Sequence, residues 1–128
     1  MFVEAPRTRG EHHRGMAIKG VLAQITVSDL AQATEYYGRL FGRGPDENPM
    51  PGLLEWHFTS EAGLQLWADS SRSGRSTVVF TEDDLAGVAE RLDAARIEHG
   101  GIEDATHFQI LQVLDPEGNH VVFTSAGS

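Results

Sequence analysis

The chain contains no cysteine. That excludes disulfides, thiolate nucleophiles and every zinc or iron–sulfur site built on Cys, and it fits a reducing, cytoplasmic compartment. Basic residues are scarce: 10 Lys and Arg stand against 19 Asp and Glu, a formal net charge of −9. A field of that sign repels phosphate backbones and no basic stripe relieves it, so nucleic acid is not an expected partner. No apolar run reaches the length of a membrane span, and the N-terminus has no apolar segment of a secretory signal. G-x-S-x-G, a phosphate-cradling Gly-rich loop and H-E-x-x-H are all missing. The acidic residues fall mostly on expected helices, turns and the 44–52 loop, which leaves a two-carboxylate mechanism without support. At 128 residues the chain suits one domain able to bury about two-thirds of its unfolded surface.

What is present is a repeat. Ile25-Thr26-Val27-Ser28-Asp29-Leu30-Ala31 returns 55 residues later as Val79-Phe80-Thr81-Glu82-Asp83-Asp84-Leu85-Ala86. Leu30, Ala33, Tyr37 and Leu40 shift by the same 55 onto Leu85, Val88, Leu92 and Ala95. Steps of three and four place each set on one helical face. A strand, an Asp-capped helix and further strands, stated twice, predict two copies of one module enclosing a shared cavity.

Residues 1–17 carry charge, Gly and Pro without periodicity and read as a mobile tail, with His12 and His13 adjacent in it and Met16 as a second candidate start. Module one is expected over 18–70, a polar linker over 71–75 and module two over 76–127. In the first strand, Gly20 to Val27, alternation puts Val21, Ala23, Ile25 and Val27 on one face and Leu22, Gln24 and Thr26 on the other. Asp29 caps the next helix, with Gln32 completing a capping-box pattern, and Gly42 ends it. Residues 43–52, with three prolines and two glycines, read as a loop or irregular edge strand. Leu54 to Thr59 and Leu64 to Asp69 are strands joined by Ser60-Glu61-Ala62-Gly63, which sets Trp56 opposite Trp67 and Phe58 opposite Gln65. In module two, Thr77 to Thr81 is a strand, Asp84 to about Arg96 a helix, Ile97 to Gly101 a short strand or connector, and His107 to Leu114 and His120 to Thr124 are strands. Asp115-Pro116-Glu117-Gly118-Asn119 between the last two is a turn on its chemistry alone.

V-S-D-L-A-x-A-x-x-Y-Y-x-x-L-F-G (Val27 to Gly42) and D-P-E-G-N-H-V-V-F (Asp115 to Phe123) resemble the vicinal oxygen chelate superfamily. That group includes glyoxalase I, extradiol dioxygenases, fosfomycin-resistance enzymes and bleomycin-resistance proteins. The resemblance spans about residues 19–125. It implies an α+β fold of two βαβββ modules whose sheets curl into an incomplete barrel with helices outside. In metal-dependent members, four inward side chains hold one divalent ion. By the resemblance those positions fall here on Leu22, Gln65, Thr77 and Val122. Leu and Val have no lone pair, and neutral Gln and Thr are poor ligands without charged companions. A metal site there, and any cofactor, is not expected.

The same face offers Gln24, Trp56, Phe58, Gln65, Trp67, Thr77 and, across the last hairpin, Gln112: aromatic surface with uncharged hydrogen-bonding groups. Such a wall suits a flat, partly apolar ligand. Alternation places His57 and His107 on the opposite face. The leading expectation is metal-independent small-molecule binding between the modules, like the drug-sequestering bleomycin-resistance branch, without catalysis. The alternative is a metal-dependent lyase, isomerase or dioxygenase with non-standard ligands; a third is an accessory domain working through a partner chain. The resemblance implies a homodimer whose pocket draws on both subunits.

Overall fold

In the computed structural model, residues 16–125 are described; the tail reading, His12 and His13 among it, falls almost wholly outside them. The elements run β1 (Val21–Val27), α1 (Leu30–Phe41), β2 (Glu47–Met50), β3 (Leu53–Thr59), β4 (Ala62–Ala68), β5 (Thr77–Glu82), α2 (Leu85–Ala94), β6 (Ile102–Asp104), β7 (Gln109–Leu114) and β8 (His120–Ser125). They build two four-stranded sheets with one topology, β1-β4-β3-β2 and β5-β8-β7-β6. In each, the first and last strands of the module pair in parallel and the rest antiparallel. This is the α+β arrangement of two βαβββ modules.

The local signals act as their chemistry dictates. Asp29 accepts the backbone N–H of Gln32 at 2.9 Å and Asp84 that of Gly87 at 3.0 Å, so each helix has its N-cap. Gly42 takes the left-handed φ of 79° that terminates α1. The capping box is not reciprocal, because the N–H of Asp29 donates to Glu117 instead, at 2.9 Å.

One face of each sheet is covered by helix. Ile25, Val27, Trp56, Leu64 and Leu66 pack with Tyr37 and Leu40 in module one, and Val78, Leu111, Val113, Val121 and Phe123 with Val88 and Leu92 in module two. The two cores merge. Ring contacts run from Trp56 to Phe41 (5.5 Å), Phe41 to Phe80 (5.9 Å) and Phe80 to Phe123 (5.7 Å). The helices are also stitched together: Arg39 donates to the carbonyl of Ala95 at 2.8 Å and Arg91 to that of Leu40 at 3.1 Å. Each guanidinium thus satisfies a carbonyl that the other helix leaves open at its C-terminal end.

The Asp115–Asn119 turn does more than reverse the chain. Asn119 is wholly buried. Its amide donates to the carbonyl of Thr26 (3.1 Å) and to Asp115 (2.9 Å) and its oxygen accepts the N–H of Ser76 (2.8 Å). Asp115 also accepts the Tyr37 hydroxyl at 2.7 Å. Burial, then the Asp115 charge, push the Tyr37 phenol far up, which keeps it a donor. The same causes raise Tyr36 to about 12. Glu117 completes the clamp, accepting the N–H groups of Ser28 (2.8 Å) and Asp29 (2.9 Å) and the Ser28 hydroxyl (2.9 Å).

Burial alone would raise the Glu117 pKa, but those donors outweigh it and hold the carboxyl below its ordinary value of 4.5. A lowered folded-state value stabilises above the unfolded pKa and is lost as pH falls through the folded one. The melting temperature of Glu117→Gln should therefore trail that of the parent most near neutral pH, and the gap should close as pH falls below the ordinary glutamate value; thermal melts from neutral to acid pH check it.

One placement differs from the sequence reading. The β3–β4 hairpin turns through Ser60 and Glu61, with Thr59 opposite Ala62, and the register slips between His57 and Thr59. Trp56 therefore pairs with Leu64, not Trp67, and Glu55 rather than Phe58 pairs with Gln65. Gly63 is part of the strand because nothing larger fits: a Cβ there would lie 2.4 Å from the Trp56 carbonyl oxygen. Of the short strand or connector expected over Ile97 to Gly101, the connector holds, and the strand, β6, begins directly after it at Ile102.

Candidate functional site

The faces not covered by helix carry the functional candidates. In module one, Leu22, Gln24 and Thr26 of β1 share a face with Gln65 and Trp67 of β4 and Glu55 and His57 of β3. In module two, Thr77 and Val79 of β5, Val122 of β8 and Gln112 of β7 share the corresponding face. Leu22 and Thr77 point away from the helices, as expected.

Trp56 and Phe58 do not belong to this face. Trp56 is fully buried on the helix side, donating from Nε1 to the Arg43 carbonyl at 2.9 Å. Phe58, carried over by the register slip, packs on Phe41 at 5.0 Å and Phe80 at 5.4 Å. Trp56 is a core residue, whereas Phe58 stays 39% exposed at the edge of the core. Trp67 is half-buried on the open face beside the cross-strand pair Thr26 and Leu53. Thr77 and Gln112 are exposed on sheet two, and Gln112 lines a cleft of about 410 Å³ with His99, Glu103, Leu114 and His120. A second cleft, about 600 Å³, lies on module one between Val21, Leu22, His57 and Thr59–Ala62. Neither of these clefts is lined by both modules.

The sequence reading placed His57 on the wrong face and left Glu55 out. In the structure they join Gln24 and Gln65 in one hydrogen-bonded row across three strands. His57 Nε2 lies 2.9 Å from Glu55 Oε1, Gln65 Nε2 donates to Glu55 Oε2 at 2.6 Å, and Gln24 Nε2 donates to Gln65 Oε1 at 2.9 Å. Within the row Glu55 is a carboxylate nine-tenths buried. The His57 bond, then Gln65, hold its pKa below the ordinary range. The same bond raises His57, with Glu47 adding to it and burial opposing. Glu47 of β2 is the direct cross-strand partner of Glu55, and one ligand atom each from Glu47, Glu55 and His57 lies within 4.8 Å of the others. A Glu at 55 alternating with His at 57, with Gly63 read as strand, was the available signal.

No family model matches the sequence, and no curated protein does. Solved structures do match. A glyoxalase/bleomycin resistance protein from Catenulispora acidiphila DSM 44928 superposes with a TM-score of 0.77 at 21% identity, over 84% of this chain and 97% of that one. TnmS3, an antibiotic binding protein from Streptomyces sp. CB03234, gives 0.71 at 19% identity, over 88% and 98%. A lactoylglutathione lyase from Agrobacterium tumefaciens gives 0.68 at 19% identity, over 82% and 91%. The chain has the glyoxalase/bleomycin-resistance fold of the vicinal oxygen chelate superfamily.

The metal that this fold holds in some members does not fit the four corresponding positions here. Leu22 and Val122 have no donor atom, Thr77 sits opposite His120 with no carboxylate beside it in the register, and the Gln65 amide is committed to Glu55 and Gln24. No helix among the described residues is long and apolar enough to cross a membrane.

Proposed function

We propose that this protein binds a small, partly apolar molecule on the helix-free face of module one, without a metal at the four positions named above. The Gln24–Gln65–Glu55–His57 row carries the reading. Four polar side chains, one of them a deeply buried carboxylate, are aligned beside Trp67 on a face that no helix covers. Gln24 and His57 are exposed at the two ends of the row, where they can reach a ligand, and Trp67 with Leu22 supplies apolar surface next to it. That TnmS3, an antibiotic binding protein, shares this fold supports the same class. The lack of Cys is in keeping with a reducing cytoplasm.

Bleomycin and a panel of aromatic antibiotics, read by thermal shift and tryptophan fluorescence, test this. A true ligand at 100 times its Kd adds about 2.7 kcal/mol to folding. Trp67→Ala should abolish the ligand-dependent quenching and the shift while Trp56 emission and the fold persist. A shift that survives in Trp67→Ala places the ligand elsewhere.

We also infer that a second copy covers the open faces. Val79 and Leu114 on sheet two stay 59% and 60% exposed, and such apolar surface on a sheet marks an interface. Light scattering should report a dimer, and Val79→Lys should shift it to monomer. Among the described residues, the metal-dependent alternative has one set of side chains that could serve it, Glu47, Glu55 and His57.

A further inference from the structure

We propose that Glu47, Glu55 and His57 bind one divalent first-row transition-metal ion at the outer edge of sheet one. Glu47 and Glu55 are directly opposed on neighbouring strands, a placement that two like charges disfavour. Glu55 is nine-tenths buried, where an unneutralised carboxylate is costlier still. Arg43 is engaged elsewhere, with Asp46 and the His57 carbonyl. Among the described residues, His57 is thus the one cationic group bonded to this pair, and it offers at most one positive charge for two negative ones. A dication removes the deficit.

The geometry suits it. The 2.9 Å between His57 Nε2 and Glu55 Oε1 matches two adjacent ligands at right angles on bonds of about 2.1 Å, which stand about 3 Å apart. Gln65 gives the cluster a built character. It is not a ligand, yet it donates to the far oxygen of Glu55 and is itself held by Gln24, which fixes the rotation of the carboxylate as outer-shell partners of metal ligands do. One imidazole and two carboxylates select manganese, iron, cobalt, nickel or zinc over magnesium and calcium. Three protein ligands leave coordination positions open, and His57 lines the cleft with Val21 and Leu22. The site lies off the four superfamily positions; Gln65 alone is shared, and here it orients rather than ligates.

The test needs no organic ligand, so its outcome is independent of the binding function proposed above. The full chain with His12→Ala and His13→Ala, which removes an adjacent imidazole pair, is titrated calorimetrically with Zn(II) and spectroscopically with Co(II). One equivalent should bind, unaffected by excess Mg(II) and by a His99→Ala control. His57→Ala and Glu55→Gln should each weaken binding at least tenfold, and Gln65→Ala about tenfold through lost orientation. His57 is partly exposed, so its variant carries the test even where Glu55→Gln fails to fold. Failure to take up one equivalent, or uptake that His57→Ala leaves unchanged, overturns the assignment.

Discussion

Asn119→Ala should lower stability by about 3 kcal/mol, since three bonds to a buried side chain are lost and their partners are stranded. At roughly 4 °C per kcal/mol for a chain of this size, the melting temperature should fall by about 12 °C. The effect is large because of what Asn119 joins. Its amide reaches the Thr26 carbonyl near the end of β1, its oxygen reaches the Ser76 N–H just after the linker, and it braces Asp115, which in turn holds Tyr37 of α1. Removing it loosens one module from the other. Asn119→Asp is nearly the same shape and should be no better at neutral pH. A carboxylate there faces Asp115 and the Thr26 carbonyl with no proton to offer. Its folded-state pKa would be raised, so the penalty is full at neutral pH and fades as pH falls towards the ordinary Asp value. Thermal melts of both variants at two pH values check the sign.

Trp56→Ala should cost about 3–5 kcal/mol, the usual range for a large buried aromatic. Trp56 has no exposed surface, fills the space between β3 and α1 against Tyr37 and Phe41, and satisfies the Arg43 carbonyl. Trp56→Phe keeps part of the packing and loses the indole N–H, so it should fall between the parent and the alanine variant. Trp67→Ala should barely move the midpoint of urea denaturation. The two tryptophans stand on adjacent strands, yet one is core and the other lies half-buried on the helix-free face. Equal losses for both would contradict that division.

The capping Asp at 29 and 84, the Gly42 stop and the shared apolar stripe were all legible because they depend on neighbours within one or two turns of chain. The 55-residue repeat then doubled each signal and carried the module topology with it. The turn at Asp115–Asn119 was equally legible as a turn. Its use as the clamp between modules was not, since Thr26 and Tyr37, which it grips, are 93 and 78 residues away in the chain.

The open face was half legible. Gln24, Gln65 and Trp67 lie where alternation put them, because β1 and β4 are regular. Trp56, Phe58 and His57 were misplaced for one cause. A two-residue turn and a register slip between His57 and Thr59 decide which residues of β3 face which side, and a shift of one residue moves every side chain across the sheet. Glu55 was overlooked because a lone carboxylate in a strand resembles solvated surface until Gln65 and His57 close on it.

By itself the sequence determined the elements, their duplication and the neutral or greasy residues at the superfamily's four metal positions, since all of these are written in short-range pattern and residue type. Only the tertiary structure decided which strand faces carry His57 and Glu55, how Asn119 and the paired arginines lock the modules together, and that two carboxylates and an imidazole meet at one edge. Those outcomes depend on strand register and on contacts across the chain, for which no local stretch of sequence holds both partners.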